Sequence, residues 1–148
     1  VSGDARSLLA LALGCTVAAA IFGFGANLFS FRNVFEETGR APLVQTAATV
    51  VYLALALVLV FKGGWKGVLA AIAMIVCATA VSWALLPLSL GLAGVGDPAG
   101  YAERFGEFRR PSYSGWAAFD LFFVGGSAAL AQGLRIVANA DPRGSRDG

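Results

Sequence analysis

Between Ser7 and Phe31 the chain carries no charged side chain. Two further stretches, Ala41–Phe61 and Gly67–Gly96, are also free of charge, and Gly115–Leu134 carries a single acid, Asp120. A helix needs about 20 apolar residues to cross a hydrocarbon layer about 30 Å thick. In that medium every backbone N–H and C=O must be satisfied within the segment, which selects helices. The chain therefore reads as all-α: a polytopic membrane protein, a four-transmembrane-helix bundle. The expected spans are Leu8–Ser30, Pro42–Phe61, Gly67–Leu90 and Gly115–Ala138.

Composition points the same way. Of 148 residues, 57% are hydrophobic and 14% charged, against about 25% charged in an ordinary soluble domain. Mean hydropathy is +0.72. The spans consume more than half of the chain, so a single domain is expected and no soluble catalytic unit. The first span exceeds the short apolar core of a cleaved signal segment and is expected to be retained. The Ala-, Gly- and Arg-rich composition leans towards a bacterial source, and hence towards a bacterial inner membrane.

Local signals set the connections. Gly39 is a helix stop, and Pro42 suits the first turn of the second span. Lys62-Gly-Gly-Trp-Lys66 reads as a tight turn with Trp65 anchored at the membrane interface. Pro87 is expected to bend or end the third span. In the long connection Gly91–Ser114, Tyr101, Phe105 and Phe108 recur at i, i+4 and i+7. That spacing predicts a short amphipathic interfacial helix over Pro98–Arg110, lying flat on the bilayer between the third and fourth spans. Trp116 is the anchor of the fourth span, and Asn139–Gly148 is expected to be a disordered tail.

Four spans place both termini on one side. That side collects Arg6, Lys62, Lys66, Arg135, Arg143 and Arg146; the other collects Arg32, Arg40, Arg104, Arg109 and Arg110. The excess of one basic residue assigns the termini to the cytoplasm. Arg135, late in the fourth span, is expected to snorkel to the inner headgroups.

Small residues recur at helical spacing, which lets helix backbones approach closely in lipid. Ala10, Gly14 and Ala18 form such a row in the first span, as do Ala19 and Gly23. Gly125, Ala129 and Gly133 form the clearest row, in the fourth. These faces are expected to join helices within the chain or to dock a partner. Cys15 and Cys77 both fall in apolar spans and read as small buried fillers, with no disulfide framework.

Polar side chains within the spans concentrate at one level. Asn27 and Ser30 close the first span, Gln45, Thr46, Thr49 and Tyr52 open the second, and Ser82 lies late in the third. Asp120 lies five residues into the fourth, roughly 7–8 Å deep at about 1.5 Å per residue. The outer third of the bundle is thus polar and the remainder dry, with Thr16, Ser127 and Gln132 as its main polar groups. Intramembrane carboxylates often mark ion or substrate paths. A ligand pocket is therefore expected from Asp120, Asn27, Gln45, Thr49 and Tyr52. The structural alternative is an acid favoured by the start of its helix, with the second-span polar stripe bonded to a neighbouring helix.

The chain has no His, which excludes His-ligated haem and His proton shuttles. No phosphate loop, Ser/His pair or metal-ligand spacing occurs, so neither a catalytic residue nor a metal or other cofactor is assigned. The first span also lacks a mid-span Glu of the small multidrug transporter type. Scattered basic residues argue against nucleic acid. Two functional readings follow. One is a non-enzymatic integral membrane subunit or accessory protein of a larger assembly, its partners the lipid bilayer and other membrane subunits or further copies of itself. The other is a small oligomeric transporter or channel component in which Asp120 couples to a proton or cation.

Overall fold

A computed structural model describes residues 3–35, 41–94, 97 and 110–140, with side chains at 5–30, 43–94, 97 and 116–140. Every regular element among them is helical: α1 (Gly3–Phe35), α2 (Ala41–Gly63), α3 (Trp65–Ala84), α4 (Leu86–Leu92) and α5 (Arg110–Ala140). Four helical segments are long and apolar enough to cross a membrane: Ala5–Ser30, Leu43–Gly63, Trp65–Ala84 and Trp116–Ala140.

The central pair is the α2–α3 hairpin. A single residue, Gly64, joins the two helices at φ 57°, a left-handed conformation that glycine adopts without a Cβ penalty. One turn on, a Cβ at Gly67 would overlap the Leu59 carbonyl oxygen and lie 2.9 Å from the Val60 Cα. Glycine there lets α3 start against the backbone of α2. Helices α1 and α5 flank this pair, each touching both α2 and α3 and, among the described residues, not each other. Accordingly 33% and 39% of the α2 and α3 windows are buried, but only 17% of α1 and 22% of α5.

Alanines form much of the core: Ala19, Ala56, Ala71 and Ala128 are fully buried, and Leu59, Met74, Ile75 and Val124 fill the gaps between them. Large apolar side chains face outward instead. Leu9, Leu13, Val17 and Ile21 make an exposed stripe along α1, and Phe122, Leu130, Leu134 and Val137 do so on α5. Small residues inside and large ones outside is the arrangement expected where helix association depends on close packing and the surroundings are themselves apolar.

The third expected span is divided. Helix α3 ends at Ala84, Leu85 intervenes, and α4 begins with Pro87 in its first turn. Proline lacks the donor and its ring crowds the carbonyl four residues back, so the ladder restarts there. Ser89 turns its hydroxyl onto the Leu86 carbonyl at 2.8 Å, and Gly94 follows α4 at φ 89°.

The structure bears on further expectations, correcting those for the tail and for Cys77. Asn139 and Ala140 belong to α5 and not to a disordered tail; residues 141–148 lie outside the described residues. Cys15 is buried but Cys77 is exposed on α3, because Cys77 points away from its neighbours Ala78 and Met74 in the core. Within the row Ala10, Gly14 and Ala18, Gly14 lies on the open side of α1 with nothing within 4 Å of a Cβ there, and Ala18 is half-buried. It is Cys15, Ala19, Gly23 and Ala26 that face the bundle. On α5, Gly125 is buried against Ile72, 3.5 Å from a Cβ, and Ala129 packs on the core, whereas a Cβ at Gly133 would meet nothing. Trp65 and Trp116 are exposed, Trp65 beside the Gly64 turn and Trp116 at the polar end of the bundle. The expected interfacial helix, with Tyr101, Phe105 and Phe108, lies outside the described residues.

Candidate functional site

Each of the four long helices sends polar side chains to one end of the bundle. On α1, Gly23, Asn27 and Ser30 stand at i, i+4 and i+7, one face of a helix. Gln45, Thr49 and Tyr52 repeat that spacing on α2. Helix α3 contributes Thr79 and Ser82, and α5 contributes Trp116 and Asp120. Between these helices lies a cavity of about 50 Å³ bounded by Gly23, Asn27, Gln45, Tyr52, Thr79, Ser82, Trp116, Ala117 and Asp120. A single water needs about 10–15 Å³ on the same measure, so there is room for a small polar group and its shell.

Hydrogen bonds tie the helices together at this level. The Gln45 amide donates to Ser30 Oγ at 3.1 Å and to Asn27 Oδ1 at 3.4 Å, linking α2 to α1. Thr49 Oγ1 lies 2.5 Å from Asp120 Oδ1 and 3.2 Å from the Gln45 carbonyl. A hydroxyl has one proton, and the short contact to a carboxylate takes it. Asn27, Ser30, Thr49 and Ser82 are buried, while Gln45 and Asp120 are half-buried. Among the described residues no cationic side chain compensates Asp120, whose partner is the Thr49 hydroxyl. Tyr52 is buried with its ring end towards α1: a Cβ at Gly23 would collide with the Tyr52 hydroxyl and sit 3.2 Å from Ser82 Oγ. Glycine at that position therefore makes room for the tyrosine.

Of the five residues expected in a pocket, Asn27, Gln45, Tyr52 and Asp120 line this cavity and Thr49 is bonded to Asp120. Five further residues line it, Gly23, Ala117 and three with larger or polar side chains that the sequence does not assign to the pocket. Ser82 lies at the right depth; Thr79 stands one turn before it, so helical spacing was the signal; Trp116 was assigned to the interface because its ring suits a membrane boundary. Trp116 meets Phe119 edge-on at a centroid distance of 5.8 Å, which sets its ring at the cavity rim.

The opposite end is built differently. Arg135, expected to snorkel to lipid headgroups, is exposed and donates from one guanidinium nitrogen to the carbonyls of Phe61 at 2.9 Å and Val60 at 3.2 Å. These are among the last carbonyls of α2, which have no partner inside their own helix, and a cation suits a helix C-terminus. Beside it Gln132 is buried near Gly64, its Oε1 without a partner. Between the two ends lie Ala56, Leu59, Met74 and Val124, an apolar plug. Among the described residues no group of three or more His, Cys, Asp or Glu is placed to hold a metal ion.

Fold and site together define a class: a helical bundle with four apolar helices, a polar cavity at one end and an apolar middle. Compared with known protein families, curated proteins and solved structures, the chain matches none.

Proposed function

We propose that this chain is a multi-pass integral membrane protein, with both termini cytoplasmic, that serves as a non-enzymatic subunit or accessory protein of a larger membrane assembly. The observation that carries this reading is the incomplete cover of α1 and α5. Each is packed on one side only, and Gly14, Gly126 and Gly133 stand on their outer surfaces with nothing within 4 Å of a Cβ. Glycine on a lipid-facing surface contributes little to the fold of its own chain, and in lipid it admits a second helix at close range. The test is co-purification in mild detergent. Gly14→Leu and Gly133→Leu are expected to lose the partner while the single chain keeps its melting temperature. Retention of the partner in both would contradict the reading.

A second reading is favoured by Asp120: a half-buried carboxylate whose cavity neighbours among the described residues are uncharged, at a cavity shared by four helices. It makes the chain a small, oligomeric transporter or channel component coupling to a proton or cation. The apolar plug below the cavity means that a path across the membrane would run between chains. Equal cation or proton flux through proteoliposomes of wild type and Asp120→Asn would remove the carboxylate from such a mechanism.

A further inference from the structure

A second cavity adjoins the polar one. It is a groove of about 300 Å³ on the outer side of α3 and α5, lined by Ile75, Val76, Thr79, Ala80, Ala117, Ala118 and Leu121. That volume is at the lower end of what small-molecule sites occupy. Its lining is almost wholly apolar, and small residues cause it: Ala80, Ala117 and Ala118 leave a gap where larger side chains would close the α3–α5 seam. Thr79 and Ala117 line both cavities. The groove therefore lies between the apolar outer surface of the bundle and the chamber that holds Asp120, with Thr79 and Ala117 common to the two walls.

These two cavities have complementary chemistry. The inner one offers a carboxylate that no cation compensates among the described residues, with the hydroxyl of Ser82 and the amide of Gln45 around it. Trp116, on the same lining, presents an aromatic ring, and aromatic faces attract cations. The outer one accepts only hydrocarbon. A ligand that satisfies both has a small cationic head and an apolar tail.

We infer that the α3–α5 groove is a lateral portal through which a membrane-dissolved alkylammonium amphiphile places its ammonium group on Asp120 and its chain along Thr79, Ala118 and Leu121. The inference rests on the second reading above, that Asp120 receives a cation, and adds the ligand class and the route. Its tail requirement separates it from a soluble-ion site, which would be reached from the water-facing end.

The full chain in nanodiscs is titrated with radiolabelled dodecylammonium, with empty nanodiscs subtracted as the partition control. Dodecanol and butylammonium serve as the headless and tailless probes. Saturable binding of about one dodecylammonium per chain is expected, with Asp120→Asn, Ala118→Phe, dodecanol and butylammonium each weaker by roughly tenfold or more, a difference of about 1.4 kcal/mol. Dodecanol binding as tightly as dodecylammonium would overturn the inference without recourse to any variant. So would unchanged binding in a folded Ala118→Phe protein. Butylammonium binding as tightly as dodecylammonium, and losing affinity in Asp120→Asn, would overturn the portal and leave the cation reading standing. No saturable binding of either ammonium would remove both.

Discussion

Thr49 on α2 and Asp120 on α5 are 71 positions apart in sequence and 2.5 Å apart in space, hydroxyl to carboxylate. This contact is a side-chain link between the central hairpin and its flanking helix at the polar end. Polar bonds between helices in lipid are worth about 0.6 kcal/mol on average and up to about 1.7. The charged acceptor places this one in the upper part of that range.

Thr49→Val is therefore expected to destabilise the bundle by about 1–2 kcal/mol, and Thr49→Ser to restore most of the loss. A double-mutant cycle with Asp120→Ala checks that the loss belongs to the pair. A coupling energy of about 1 kcal/mol is expected, and additivity of the two single substitutions would contradict the assignment.

Gly67 and Gly14 should respond oppositely to the same change. A Cβ at Gly67 meets the Leu59 carbonyl, whereas at Gly14 it meets nothing. Gly67→Ala must push α2 and α3 apart, and overpacking of this kind costs about 1–3 kcal/mol. Gly14→Ala is expected to leave folding unchanged or improve it by up to about 1 kcal/mol through helix propensity. Reversible unfolding in mixed micelles measures both.

Arg135→Ala removes two bonds to the end of α2. Val60 keeps the bond from the Gly64 amide at 2.8 Å, but Phe61 loses the Arg135 donor. The expected cost is about 1 kcal/mol, with faster hydrogen exchange at the Gly64 and Val68 amides, which close the α2–α3 turn. Exchange unchanged at those amides would show that the guanidinium does not hold the turn.

Gly23→Ala bears on the cavity itself. The added methyl displaces the Tyr52 hydroxyl from its place against Gly23. A shift in the Tyr52 environment is expected, read by ring NMR resonances, with Trp116 fluorescence as a second reporter from the far side of the cavity. Silence from both would mean that the tyrosine does not occupy the position described.

The level shared by Asn27, Gln45, Thr49 and Asp120 was readable from sequence because each lies a countable number of residues from a helix end. A rise of about 1.5 Å per residue converts that count to depth. Rotation about the helix axis was not readable in the same way. Span 1 carries small residues on several faces, so Gly14 and Ala19 looked equivalent, and only the positions of α2 and α3 show that Ala19 faces inward. Arg135 illustrates a second gap. Its depth was evident, but its acceptors are carbonyls at the end of α2, and backbone carbonyls have no signature in sequence. Pro87 signalled a break; whether the ladder would kink or restart depended on the packing of Leu86 and Leu90.

Whether other membrane chains cover the open faces of α1 and α5 is read from mass. Nanodiscs excised from native membrane with the protein inside would be sized by native mass spectrometry. The account predicts a species heavier than the 15.2 kDa chain, containing a second protein or further copies. A lone 15.2 kDa chain in every preparation would contradict it.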